Sequence, residues 1–181
     1  MFKLLMSDFR HKAAIYGLQP DARALLRMAL NDGSLAQMLF RAMSYCQTHH
    51  LKVFAAVLYR VNAMLTHATI GRNATIGEGF VILHSVGVVI NGAVRAGKNL
   101  VVYHGVTLGS VRDSSPVLGD DVYIGAGAKV IGGVRVGSRV RIGANAVVVK
   151  DVPDDCTVVG VPARVVSRHG MPVVAGDGNP E

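Results

Sequence analysis

From Ile70 onward an aliphatic residue returns every six positions. The series runs Ile70, Ile76, Ile82, Val88, Val94, Leu100, Val106, then Leu118, Ile124, Val130, Val136, Ile142 and Val148, with Arg112 its sole interruption. Glycine follows the aliphatic residue at Gly71, Gly77, Gly119, Gly125, Gly137 and Gly143. A second small or apolar column, four residues on, holds Val122, Ala128, Val134, Val140, Ala146 and Val152. A period of six matches neither the 3.6 of a helix nor the 2 of a plain strand. It suits one short strand and one turn per hexad. Three hexads, eighteen residues, then close a triangular coil, and coils stack at the strand spacing of about 4.8 Å. The expected fold is a parallel β-helix of hexapeptide repeats, mainly β. The aliphatic column points inward, and glycine occupies corners whose backbone is costly for other residues.

Composition agrees with a core of small aliphatic side chains. The 181 residues include 21 Gly and no Trp, and aromatics make up 6%. Half the chain is hydrophobic and 17% is charged, which excludes a disordered chain. The net charge of +7 points to an anionic partner such as a phosphorylated cofactor, nucleic acid or a membrane surface. Scattered basic residues and few aromatics argue against nucleic acid. Cys46 and Cys156 are too few for a disulfide framework or a four-thiolate metal site. No signal peptide is visible. Val53–Leu65 is broken by Arg60 and Asn62 and is too short to span a bilayer. A cytoplasmic chain with at most peripheral membrane contact is expected.

Three regions follow. Residues 1–65 read as an N-terminal α-helical cap, with helices over Asp21–Leu30, from Ser34 as a capping residue to about Thr48, and over about Leu51–Met64. Residues 66–166 hold the coil. Residues 167–181, rich in Gly, Pro and polar side chains, read as a flexible tail. Arg112 lies in the polar stretch Ser110–Pro116, which predicts a loop leaving the coil, with the repeat phase resuming at Leu118.

Two histidines stand out. His84 occupies an outward position two after an inward aliphatic, and His104 follows twenty residues later. With eighteen residues per coil, they lie one coil apart with a sideways offset of about 6.6 Å. Histidine suits general-base activation of an alcohol. Ala126 and Ala144, also outward and eighteen residues apart, stack into a shallow groove that fits a thin ligand such as a pantetheine arm.

The segments His84–Ile90, Gly105–Gly109, Ile124–Lys129 and Val159–Arg164 make the chain resemble the hexapeptide-repeat acetyltransferases of the serine acetyltransferase type, closest to short polysaccharide-biosynthesis members. The likeness covers about Leu65–Val166. It implies a left-handed coil, a homotrimer with sites between neighbours, and direct acetyl transfer from acetyl-CoA without metal. His84 then takes the place of the family's catalytic base, with His104 beside it for catalysis or acceptor binding. Backbone N–H groups near the groove stabilise the oxyanion. Acetyl-CoA lies along Ala126 and Ala144, with Lys129, Lys150 and Arg164 as phosphate partners by charge. Where the family has Asp before the histidine this chain has Leu83. Its upstream Asp aligns near Ala63, and its Arg-His pair near Ser114 and Ser115, with Arg112 close by as a substrate contact. An amino-acid zwitterion needs charged partners. The expected acceptor is therefore a sugar hydroxyl or another hydroxyl-bearing small molecule or glycan of polysaccharide biosynthesis. Serine is the alternative acceptor, and a non-catalytic binding solenoid is a further reading. A β-helix carbonic anhydrase would need His67, His84 and His104 on one metal.

Overall fold

The computed structural model describes residues 1–173. Residues 174–181, part of the stretch expected to form the tail, lie outside the described residues. The coil is built as the repeat predicts, from very short strands on three parallel faces. The first face stacks Thr69–Ile70, Val89–Ile90, Thr107–Gly109, Lys129–Ile131 and Val147–Val148. The second stacks Thr75–Ile76, Arg95–Ala96, Val117–Leu118 and Arg135–Val136. The third stacks Val81–Ile82, Val101–Val102, Tyr123–Ile124, Arg141–Ile142 and Cys156–Val159. This gives four complete coils and part of a fifth.

Register corrects the counting. Ile70 pairs with Ile90, and Ile82 with Val102, so the first coil takes twenty residues rather than eighteen. Leu118 pairs with Ala96, and Ile124 with Val102, both twenty-two apart. Two extra residues enter the turn after Ile82, and four extra enter the loop after Leu108. Together they make one hexad, so the period of six survives while the column changes identity. Val88, Val94, Leu100 and Val106 are fully buried, but they belong to the second inward column. Both columns are aliphatic and buried, so hydrophobicity cannot signal the switch.

The corner glycines also have a different cause from the expected one. Gly125 does not have positive φ; a Cβ there would meet the Ala144 backbone of the next coil. Close stacking of corners requires it. The left-handed residues lie elsewhere in the turns, at Gly127 and Asn145 for example.

Four helices precede the coil: α1 (Phe2–Ile15), α2 (Ala22–Ala29), α3 (Ser34–Thr48) and α4 (Lys52–Thr66). The sequence reading missed α1. Asp21 caps α2, accepting the Ala24 N–H at 2.7 Å. Ser34 is the first residue of α3 and not its cap. Gly33 caps it at φ 78, and the Ser34 hydroxyl instead donates to the Met28 carbonyl.

The helices close the open edge of the first coil, where strand N–H and C=O groups have no further coil to pair with. Polar side chains take those groups one by one. The Phe80 N–H donates to Asp8 at 2.9 Å, and the Phe80 carbonyl accepts from Gln37 at 2.7 Å. The Ile82 N–H donates to Gln37, and the Ile82 carbonyl accepts from Lys12 at 3.0 Å. Arg41 donates to the Ile76 and Gly77 carbonyls and pairs in two contacts of 2.8 Å with Asp8. Burial raises the Asp8 carboxyl above its ordinary value, against the lowering pull of Arg41.

The last coil is closed differently. Arg164–Arg168 runs antiparallel along Cys156–Val159, and Met171–Pro172 follows it. Ser167 and Arg168 are therefore strand residues, and the region read as tail begins with ordered structure. Its polar residues alternate with apolar ones on a half-exposed strand, a pattern too short to register in the sequence. Among the described residues, no helix is long and apolar enough to cross a membrane.

Candidate active site

The corner leading from the third face back to the first gathers the candidate residues. The pairing of Ile82, Val102, Ile124 and Ile142, carried two residues onward, sets His84, His104, Ala126 and Ala144 in one column. The sideways offset expected between the histidines is absent, because the two extra residues of the first coil absorb it. Their rings stand edge to face with centroids 5.9 Å apart. At about 4.8 Å per coil, His84 to Ala144 spans about 14 Å. The amide of Gly127 donates to the His104 carbonyl and that of Asn145 to the Ala126 carbonyl, so this corner is tied coil to coil.

His84 is exposed, and its Nδ1 lies 2.8 Å from Asp32 Oδ2. A carboxylate only accepts, so Nδ1 donates, and in the neutral imidazole this is the tautomer that leaves Nε2 its lone pair. Asp32 comes from the turn between α2 and α3, some fifty residues away. Nothing in the sequence pattern marked it. Leu83, at the position expected to lack an acid, is buried against Val81, Val101, Tyr103 and Tyr123, where a carboxylate would be desolvated. Tyr103 and Tyr123 stack edge to face at 5.4 Å, with Arg141 4.7 Å over the Tyr123 ring. Burial, then the hydrogen bond with Tyr103, pushes the Tyr123 hydroxyl up to about 12. It therefore holds its proton and is no base.

The basic candidates divide. Lys129 donates at 2.5 Å to the carbonyl of Gly105, bracing the turn just after His104. Arg164 begins the closing strand opposite Val159, at the far end of the histidine–alanine column. Lys150 sits instead at the corner after the first face, in an open hollow shared with Val111, Arg112 and Ser114. Arg112 lies on the loop at that corner, in left-handed backbone at φ 46. Asn91 holds the loop through Ser110 and Ser115. Arg112 and His84 thus occupy different corners of one chain. Among the described residues no three His, Cys, Asp or Glu side chains cluster as a metal would need, so His67, His84 and His104 do not form one site. Cys46 and Cys156 are unbridged, and burial pushes the Cys156 thiol up.

Residues 115–150 match the family model for the bacterial transferase hexapeptide, six repeats. The chain is similar to serine acetyltransferases from Synechococcus elongatus and Bacillus pumilus. The first is 40% identical over 96% of this chain and 72% of its own length, and the second 36% over 95% and 80%. Among solved structures, a Brucella abortus serine acetyltransferase in complex with coenzyme A matches with a TM-score of 0.82 and 30% identity, over 92% of this chain and 68% of that one. A Neisseria gonorrhoeae serine acetyltransferase in complex with serine matches with a TM-score of 0.81 and 32% identity, over 92% and 69%. These matches overturn the expectation of a sugar acceptor and give no support to a place among polysaccharide-biosynthesis members. That expectation rested on charged groups, acids at Leu83 and Ala63 and an Arg-His pair at Ser114 and Ser115, missing at fixed sequence positions. The fold supplies Asp32 beside His84 from another position.

Proposed function

Because the chain belongs to the serine acetyltransferase family, and is an acetyl-CoA-dependent acetyltransferase, we propose that it moves the acetyl group of acetyl-CoA to the hydroxyl of L-serine. The observation that carries the reading is the column at one corner, with an oriented imidazole at its foot and small side chains along its length. His84 Nε2 takes the proton of the serine hydroxyl as that oxygen attacks the thioester carbonyl carbon. A tetrahedral oxyanion forms and collapses, and the carbon–sulfur bond breaks. The proton held on Nε2 passes to the departing thiolate, leaving O-acetylserine and coenzyme A. The thioester arm runs along Ala126 and Ala144, with Arg164 at its far end to meet phosphate. His104 flanks the reacting groups, and Lys129 keeps its turn in place.

The reading includes a homotrimer. Arg112 and Lys150 stand at a corner away from His84, so they serve a shared site only where a neighbouring copy brings that corner alongside. Exposed Val86 and Val89, next to His84, suit such a contact.

The test is thiol release from acetyl-CoA with L-serine, using His84→Ala as control. Serine-dependent release that falls by about 10²- to 10⁴-fold in the variant is expected. Protein that binds acetyl-CoA but releases no thiol with serine would overturn the reading.

A further inference from the structure

We propose that the helical region completes the active site, with Asp32 and the buried Lys12 acting as positioning residues for His84. This rests on the reading of His84 as the base. Asp32 accepts a hydrogen bond from the Nδ1–H at 2.8 Å and so fixes the tautomer that leaves Nε2 free. Its own side chain is half exposed, so the turn carrying it must be held by something else. Lys12 on α1 supplies the hold. Its ammonium is fully buried and donates to three acceptors: the Asp32 carbonyl at 2.5 Å, the Ser34 hydroxyl at 2.8 Å and the Ile82 carbonyl at 3.0 Å. One cation thus ties the turn that presents Asp32 to the strand that ends two residues before His84.

The contact between turn and strand is built for close approach. Gly33, left-handed at φ 78, packs so tightly that a Cβ would land on the Ile82 carbonyl oxygen. A lysine buried without a carboxylate contact is costly to keep. A clamp needs its three donors in a fixed tripod, which an apolar side chain cannot supply. Sealing the edge alone would not place an acid against an exposed imidazole.

Two readouts test the unit. The first is the ¹⁵N spectrum of histidine-labelled protein at a pH where imidazole is neutral, with His84 assigned by its loss in His84→Ala. The full chain is expected to show His84 protonated at Nδ1, and Asp32→Ala to lose that preference. An unchanged tautomer in Asp32→Ala would overturn the proposal, whatever the acceptor proves to be. The second readout is steady-state kinetics. Asp32→Ala should lower kcat by about 10- to 100-fold, with KM for acetyl-CoA unchanged. Lys12→Met should lower kcat in the native background and add nothing in Asp32→Ala. Losses that multiply in the double variant would show that Lys12 does not act through Asp32. If Lys12→Met does not fold, Ser34→Ala, which removes one of the three acceptors, carries the same cycle. Absence of serine turnover by the native chain would refute the acceptor, while the spectrum still decides the tautomer.

Discussion

The two ends of the coil meet one physical demand with different chemistry. Each leaves a row of strand N–H and C=O groups without a next coil. At the last coil the chain adds another strand, Arg164–Arg168, and backbone satisfies backbone. At the first coil no strand is added. Asp8, Lys12, Gln37 and Arg41 reach out of α1 and α3 and pair the groups individually. A strand closes an edge with almost any sequence, whereas side-chain closure depends on each residue. It also lets the cap carry polar groups up to the rim of the site, as Asp32 is carried to His84.

The sharpest way to break this contrast is Arg41→Ala. It strands the buried Asp8 carboxylate and frees two carbonyls, and a broken buried pair costs about 3–5 kcal/mol. Urea unfolding should show that loss; a change under about 1 kcal/mol would mean that the first edge does not depend on its side chains. Ile124→Ala, in the middle of the coil and away from both ends, should cost about 2–5 kcal/mol, because a fully buried side chain leaves a cavity. A loss confined to one end of the molecule would show that coils unfold separately.

A smaller effect separates charge from packing at Lys12. Burial lowers its ammonium from an ordinary 10.5 to about 8. Between those values the unfolded chain binds more protons than the folded chain, so the native protein gains stability as pH rises through that window. Below it the cost of the buried charge is constant. Relative to Lys12→Met, the native chain should therefore gain ground between about pH 8 and 10. Parallel urea curves with a constant gap would refute this. The smallest effect belongs to the other end. Arg139→Ala removes the Arg139–Asp155 contacts of 2.6 and 2.8 Å, but both groups face solvent, and the melting temperature should hardly move. A large fall would make the last edge as dependent on side chains as the first.

The period of six, the inward aliphatics and the outward positions of His84, Ala126 and Ala144 were all legible, because each is a local consequence of strand alternation, and His104 was legible only as a neighbour one coil away. The alignment of those four in one column was not. It depends on where two and four extra residues enter, and the two buried columns look alike in composition. Leu83 was legible as a missing acid, yet that absence misled about the acceptor. The carboxylate beside His84 arrives from a turn with no repeat to mark it. Lys12 and Asp8 lie on α1, which the sequence pattern did not reveal, and one chain position gives no hint that a strand edge will cover it.

The sequence by itself determined that this chain coils, which side chains fill the coil and which histidine faces out, because repeating short-range geometry leaves little else for such a pattern to do. Only the tertiary structure decided how the coil is closed and which acid orients His84. At the first edge and at His84 those contacts join residues 33 to 72 positions apart, and their strength comes from burial and fixed geometry that exist only once cap and coil have met.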